Sequence, residues 1–189
     1  MIIETERLLI RPLTRDDLPA LIDLRADEEV SRYLGGAAMQ SPEAIDQRLD
    51  FYIDCHARHG FGMSALLRKT DGVMLGWGGL QPLEETGEIE VGYGFAKAHW
   101  GKGYATETAA AWLRYGFERA GLARIVAVAS PENTGSRRVM EKLGMKYVKT
   151  EPHYNTDCVF YSITREEFTP RPGLYALREG PGADAAGKS

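Results

Sequence analysis

Four glycines stand in the stretch from Gly92 to Glu107, in which a predicted strand passes into a predicted helix. Glycine at this density weakens both kinds of regular structure, so this stretch needs a bare backbone for another reason. A tight β–α turn without a ligand is the ordinary explanation for a lone Gly-x-Gly pattern. A loop that enters a helix also points its backbone N–H groups at one spot, where they can bind an anion. The stretch therefore restricts the fold to one in which a strand passes into a helix through a glycine-lined corner.

The order of the predicted elements indicates one mixed α/β sheet. The predicted strands are residues 8–13, 61–68, 73–77, 88–95, 124–129, 146–149 and 159–164. The predicted helices begin near Arg15 and Pro42, behind the capping residues Thr14 and Ser41, and near Ala105 and Asn133. The strands from 61 to 95 form an antiparallel meander. A helix connects strand 88–95 to strand 124–129, so we expect these two strands to run parallel.

Length and composition are those of an ordinary globular domain. The 189 residues fit one domain, with 43% hydrophobic and 26% charged residues. The net charge of −4 argues against a general nucleic-acid binder. No apolar run is long enough to span a bilayer, and the charged first residues do not resemble a secretory signal. We therefore expect a cytoplasmic protein with no membrane or nucleic-acid partner, in which Cys55 and Cys158 are free thiols.

Two nucleotide-binding motifs can be compared with the glycine-rich stretch, and both fail on spacing. A P-loop ends in Gly-Lys-[Ser/Thr], whereas here Lys102 precedes the second glycine of the pair. The dinucleotide fingerprint requires a third glycine where Thr106 stands. It also requires an acidic residue at the end of the next strand, where this chain has Ser130 and Pro131.

The segment from Trp100 to Ala105 is similar to the pyrophosphate-binding motif [Gln/Arg]-x-x-Gly-x-[Gly/Ala] of the GNAT superfamily of N-acetyltransferases. Gly103 and Ala105 match this motif, and Trp100 replaces the usual Gln or Arg. Four longer segments resemble the branch of ribosomal-protein N-terminal acetyltransferases, namely residues 4–13, 99–107, 133–145 and 160–168. The resemblance implies one GNAT domain over residues 1–168, followed by a C-terminal extension at 169–189 that is flexible toward its end.

The same resemblance implies acetyl-CoA as the acyl donor and a mostly antiparallel sheet that opens between its two parallel middle strands. The pantetheine arm of CoA would lie in this opening and pair with the strand that ends at Phe95. The residues implied to contact CoA are Phe95, Ala96, Gly101, Lys102, Gly103, Tyr104, Ala105, Thr106, Asn133 and Ser136.

One carboxylate is a candidate general base. Strand parity places Glu88, Glu90, Gly92 and Gly94 on one face, where the two glycines would leave room for a ligand. An ammonium ion must lose a proton before it attacks a thioester, and a carboxylate suits this task. The resemblance matches Glu90 to the base of related enzymes. A solvated strand acid paired with a lysine is an equally good interpretation of the same residue.

The first turn of the late helix carries the second candidate catalytic residue. Asn133 is expected to cap this helix, and the resemblance adds a contact with the CoA arm. Ser136 could donate a hydrogen bond to the departing thiolate. Many related enzymes have a tyrosine as general acid where this chain has Met140, whose thioether cannot donate a proton. The thiol would then leave as a thiolate, helped by Ser136 or by a water molecule.

The resemblance implies direct transfer of an acetyl group from acetyl-CoA to a primary amine in a ternary complex. The acceptor could be a protein N-terminal amine, an amino acid, a polyamine or an antibiotic, chosen by residues 16–60 and by the loops near Tyr154. A homodimer is possible. Since Met140 replaces the usual acid, a non-catalytic acyl-CoA-binding regulator is the alternative. No metal is expected, because His56 and His59 lack a third ligand at a recognisable spacing and are interpreted as surface residues.

Overall fold

The computed structural model describes residues 1–34, 37–83, 86–154 and 156–179. A nine-stranded sheet forms its centre. The strands are β1 (Ile2–Thr5), β2 (Leu8–Pro12), β3 (Met63–Arg68), β4 (Met74–Pro82), β5 (Ile89–Phe95), β6 (Arg124–Ala129), β7 (Lys146–His153), β8 (Thr156–Thr164) and β9 (Tyr175–Arg178). The helices are α1 (Leu18–Ala26), α2 (Glu28–Ser31), α3 (Pro42–His59), α4 (Tyr104–Glu118) and α5 (Thr134–Lys142), with 3₁₀ turns at Arg15–Asp17, Ala37–Gln40 and Lys97–His99.

The sheet has the predicted combination of antiparallel strands and one parallel pair. Its strand order is β7-β8-β6-β5-β4-β3-β2-β1-β9, and β5 with β6 is its parallel pair among otherwise antiparallel neighbours. Helix α4 makes the crossover that a parallel pair requires. The expectation of a mostly antiparallel mixed sheet with two parallel middle strands is therefore confirmed.

Strands β5 and β6 are paired over a very short distance. They share one register pair, Glu90 with Val126. By contrast, β5 is paired with β4 along its whole length, from Ile89 opposite Pro82 to Phe95 opposite Gly76. Beyond Glu90 the two parallel strands diverge, and the sheet opens between them.

Two short strands were not predicted from the sequence. Strand β1 pairs with β2, and β9 pairs antiparallel with β1, so that Ile2 faces Arg178. Each has four residues, which is too short for a period-2 pattern to be recognised. The extension predicted at 169–189 thus contributes a strand to the sheet. Residues 180–189, where this extension was expected to be flexible, lie outside the described residues, and the domain boundary at 168 stays a prediction.

Helices cover both faces of the sheet, and each face has its own hydrophobic core. Helices α4 and α5 pack over one face through residues such as Trp112 and Met140. Helices α1 and α3 pack over the other through Leu21, Leu49 and Tyr52. Helices α4 and α5 therefore cover one face of the parallel pair, and the other face of β6 has a third, smaller cluster around Val126.

The space expected beside Gly92 and Gly94 is filled by protein. A Cβ at Gly94 would lie 2.5 Å from the ring of Trp77, and one at Gly92 would lie 2.8 Å from the terminal methyl of Met63. Glycine is needed at Gly94 because the indole lies directly against β5. The expectation that these two glycines leave room for a ligand is therefore wrong.

Candidate active site

The corner between β5 and α4, residues 101–106, has a set of unpaired backbone amides that we call the amide loop. Gly101 and Gly103 have φ angles of +72° and +82°, a left-handed conformation that favours glycine. The first backbone hydrogen bond of the helix is donated by Glu107 to the Gly103 carbonyl, at 3.0 Å. The amides of residues 101–106 donate no hydrogen bond to any other described residue. Such a cluster of free N–H groups at a helix N-terminus can bind an anion such as phosphate.

Trp100 has a structural task at this corner. Its indole N–H donates to the Phe95 carbonyl at 2.7 Å, which joins the end of β5 to the start of the loop. Gln or Arg, the usual residues here, are also hydrogen-bond donors. The backbone groups of Ala96 are also bonded, because its N–H donates to Leu75 and its carbonyl accepts from His99. Phe95 and Ala96 thus shape the corner, and their contacts with CoA stay a prediction.

The side chain of Lys102 is turned back along the chain. Its ammonium group donates to the Ala98 carbonyl at 2.8 Å. In the described geometry the amide loop therefore presents backbone N–H groups, and Lys102 adds positive charge at its edge.

Glu90 lies where β5 and β6 separate, and its residue is only 4% exposed. Gln81 of β4, directly opposite, donates to Glu90 Oε1 at 2.5 Å, and the hydroxyl of Tyr154 donates to the same oxygen. Burial, together with the Glu90 charge, raises the pKa of Tyr154, so its phenol stays a protonated donor. The interpretation of Glu90 as a solvated surface acid is wrong because this carboxylate is buried. Its role as a general base stays a prediction.

Ser136 lies near the other side of the opening and has a partner that the sequence analysis missed. Its hydroxyl oxygen is 3.1 Å from that of Tyr93, which also donates to the Ser136 carbonyl at 3.4 Å. Burial raises the pKa of Tyr93 to about 12. Asn133 accepts from the Ser136 amide at 3.0 Å, which confirms its predicted helix cap. The alternation of side chains along β5 would have placed Tyr93 on the face of α5.

The structure places the two predicted catalytic residues on opposite faces of the sheet. Glu90 lies on the α3 side of the sheet. Burial raises the pKa of Tyr52 of α3, and the nearby charge of Glu90 raises it further. Ser136 belongs to α5, on the other side. Met140 is 3% exposed and is part of the α4–α5 core. A reaction that uses both candidate residues must therefore take place within the opening between β5 and β6.

The remaining candidate residues have structural surroundings. His56 is half-buried, with Nε2 3.0 Å from the Ser64 hydroxyl, and burial lowers its pKa to about 4. Its interpretation as a surface residue is therefore wrong, whereas His59 is exposed. Cys55 and Cys158 are buried free thiols, as predicted. No helix in the described part of the chain is long and apolar enough to span a bilayer.

An open cavity of about 700 Å³ lies between α4 and residues 171–175. Gly103 and Thr106 of the amide loop border it, but Glu90 and Ser136 do not. The candidate catalytic residues therefore lie apart from this cavity.

Comparison with known proteins identifies the family to which the sequence is similar. A model of the acetyltransferase (GNAT) domain matches residues 7–146, a range that includes the amide loop, Glu90 and Ser136. The uncharacterized protein YkkB of Bacillus subtilis (strain 168) is 41% identical over 106 residues, which are 54% of this chain and 62% of YkkB. The uncharacterized N-acetyltransferase YnaD of the same organism is 33% identical over 179 residues, which are 89% of this chain and 99% of YnaD.

Solved structures share the fold. An acetyltransferase (GNAT family) from Bacillus anthracis superposes with a TM-score of 0.75 at 31% identity, covering 88% of this chain and 100% of that chain. Mycobacterium smegmatis RimJ in complex with CoA-disulfide has a TM-score of 0.69 at 22% identity, covering 88% of this chain and 88% of that chain. At that identity the likeness to RimJ concerns the fold alone.

Proposed function

The chain belongs to the GNAT acetyltransferase family, and from this premise we propose that it transfers an acetyl group from acetyl-CoA to a primary amine by direct attack in a ternary complex. Family membership supports acyl transfer in general. The observation that carries the proposal is that two features occur together. The amides of residues 101–106 donate to no other described residue, and a buried carboxylate, Glu90, lies where β5 and β6 separate. The backbone amides suit the binding of the acyl donor, and the carboxylate suits the removal of a proton from the acceptor amine.

The residues of the amide loop fit the pyrophosphate of acetyl-CoA. A pyrophosphate carries several anionic oxygens, and free amides at a helix N-terminus can bind them without any particular side chain. Apart from its chain neighbours, a Cβ at Gly101 would have no heavy atom within 4 Å, so the space beside Gly101 is open. From this loop the pantetheine arm would run along β5, whose pairing with β6 ends at Glu90. An extended arm can pair there as an added strand would.

Glu90 would accept the proton of the attacking amine from the other face. The amine nitrogen forms the new bond to the acetyl carbon, the carbon–sulfur bond breaks, and the proton of the nitrogen passes to Glu90 directly or through a water molecule. Tyr154 and Gln81 both bind one carboxylate oxygen, Oε1. The acceptor amine would displace the Tyr154 hydroxyl from this carboxylate or reach it through a water molecule.

The hydroxyls of Ser136 and Tyr93 would stabilise the leaving thiolate by hydrogen bonds. A phenol with a pKa near 12 holds its proton at neutral pH, so Tyr93 would orient Ser136 rather than supply a proton. Met140 has no proton to give. The sulfur would therefore leave as a thiolate.

The branch resemblance supports one class of acceptor. Residues 4–13, 99–107, 133–145 and 160–168 are similar to those of ribosomal-protein N-terminal acetyltransferases, which supports a protein N-terminal amine. A small-molecule amine is the other acceptor within the same proposal. We further propose that the protein works in the cytoplasm, without a metal ion, and that it can form a homodimer.

Thiol release from acetyl-CoA, measured over a panel of N-terminal peptides and small amines, tests the proposal. Thermal unfolding with acetyl-CoA, ATP or NAD gives a parallel measure of binding. Stabilisation by acetyl-CoA with turnover on at least one amine is the expected result. Stabilisation with no turnover on any amine would favour the non-catalytic regulator. Stabilisation by ATP or NAD alone would refute acetyl-CoA as the donor.

A further inference from the structure

We propose that Arg7 and Glu107 form a clamp that holds the amide loop in the conformation that binds the CoA pyrophosphate. Arg7 is then a positioning residue for the acyl donor. This inference rests on the proposed function, because it assumes that CoA binds at residues 101–106. Neither residue belongs to the predicted site.

Arg7 contacts the amide loop and its surroundings at three places. It lies in the turn between β1 and β2. Its Nε donates to Glu107 Oε2 at 2.7 Å, and its Nη1 donates to the Lys102 carbonyl at 2.8 Å. Its guanidinium carbon also lies 4.3 Å from the centre of the Tyr104 ring. The contacts therefore fall before the start of α4, at its first residue and within its first turn.

Glu107 joins the same turn from the helix side. Its Oε1 accepts from the Thr5 hydroxyl at 2.7 Å and from the Arg7 amide at 2.8 Å. Its Oε2 accepts from the Arg7 guanidinium, so both carboxylate oxygens are bonded. A carboxylate in the first turn is also favoured by the helix dipole. The clamp thus ties the start of α4 to the β1–β2 hairpin of the sheet.

The bond to the Lys102 carbonyl has a direct effect on the anion site. The Lys102 carbonyl and the Gly103 N–H belong to one planar trans peptide unit, in which the two groups point in opposite directions. Holding the carbonyl on the Arg7 side therefore aims the Gly103 N–H to the other side. Gly101 and Gly103 give this segment a wide choice of backbone conformations. A loop held in its binding conformation loses less entropy when the ligand binds.

Directional hydrogen bonds, rather than charge alone, carry this role. The side chain of Arg7 is 41% exposed and that of Glu107 is 15% exposed, so water and salt screen much of the attraction between the two charges. Lysine would keep the charge but has no planar fork to reach both Lys102 and Glu107. Arg7→Lys should therefore behave like Arg7→Gln.

A matched control pair, Arg114 and Glu118, lies on α4, the helix that carries Glu107. Arg114 donates through Nε to Glu118 at 3.0 and 3.1 Å, and its guanidinium carbon lies 4.5 Å from the centre of the Tyr175 ring. This arrangement repeats the chemistry of Arg7 and Glu107 without a contact to the amide loop. Arg114→Gln therefore removes a similar pair and leaves the proposed clamp intact.

Calorimetric dissociation constants for CoA, 3′-dephospho-CoA and pantetheine test the clamp. Arg7→Gln and Arg7→Lys should each weaken the binding of CoA and of 3′-dephospho-CoA by about tenfold, as expected for losing one hydrogen bond to a charged donor. Pantetheine, which has no pyrophosphate, should bind as it does to the wild type. Arg114→Gln should change none of the three constants. The double variant Arg7→Gln with Glu107→Gln should be no weaker than Arg7→Gln alone, because the two residues act together.

Four results would overturn the clamp. If CoA binds the wild type but binds Arg7→Gln equally well, the clamp is wrong and the proposed function stands. A loss of affinity for CoA but not for 3′-dephospho-CoA would make Arg7 a ligand of the 3′-phosphate instead. Equal losses for CoA and pantetheine would show a general disturbance of the fold. Failure of the wild type to bind CoA at all would overturn the proposed function, and the clamp with it.

Discussion

Replacing Glu90 with glutamine should remove most of the acetyl transfer while the fold and CoA binding are kept. Gln81 and Tyr154 both donate to Glu90 Oε1. The amide oxygen of a glutamine can accept the same two bonds, so the variant loses charge and basicity rather than packing. Removal of a general base lowers kcat by about 10² to 10⁴, or roughly 3 to 5 kcal/mol of barrier. Weaker bonds to a neutral acceptor should lower the free energy of unfolding by about 1 kcal/mol.

Glu88→Gln is the matched control for this measurement. Glu88 comes two residues earlier in the chain and forms an ion pair with Arg124 at 2.9 Å, with its side chain 35% exposed. Loss of such a surface pair changes stability by about 0 to 1 kcal/mol and should leave kcat unchanged. Thiol release at saturating acetyl-CoA and amine gives kcat, and calorimetry with CoA confirms that the donor site is intact. If both variants have the same kcat within about twofold, Glu90 is not the base.

Three further predictions concern packing, pH and the leaving group. Gly94→Ala places a Cβ 2.5 Å from the Trp77 ring and should lower the free energy of unfolding by about 1 to 3 kcal/mol in urea, whereas unchanged stability would mean that the ring can move away. Burial lowers the pKa of His56 from 6.5 to about 4, so the folded state binds fewer protons than the unfolded state between these values. The contribution of His56 to the free energy of unfolding should be fully present above pH 6.5 and fall by up to about 3 kcal/mol toward pH 4. His56→Gln should flatten this part of the curve of unfolding free energy against pH, and parallel curves for the two proteins would contradict the reasoning. Ser136→Ala should lower kcat about tenfold, since it would remove the proposed hydrogen bond to the thiolate, and an unchanged kcat would show that the sulfur leaves without this hydroxyl.

Local patterns in the sequence were enough to predict most of the fold. Ser41 accepts from the Ala44 amide at 3.1 Å and caps α3, as its position before Pro42 indicates. The glycine-rich stretch forms the predicted corner, because positive φ angles and a helix start depend on neighbouring residues only. The parallel pairing of β5 and β6 followed from the helix between them. These features involve residues close together in the chain, so their chemistry can be read along it.

The surroundings of the candidate site depended on residues that lie far apart in the chain. Gln81 and Tyr154 bind the Glu90 carboxylate from a neighbouring strand and a distant turn. Arg7 meets Glu107 across a separation of 100 residues. No local period or spacing predicts such contacts, because they depend on strand register and on the packing of helices against the sheet. The sequence by itself determined the order of most elements, from β2 to β8, and the glycine-lined corner at the start of α4. Only the tertiary structure decided that Glu90 is buried, that Trp77 fills the face above Gly94, and that Arg7 reaches the loop, since these depend on which distant segments the folded chain brings together.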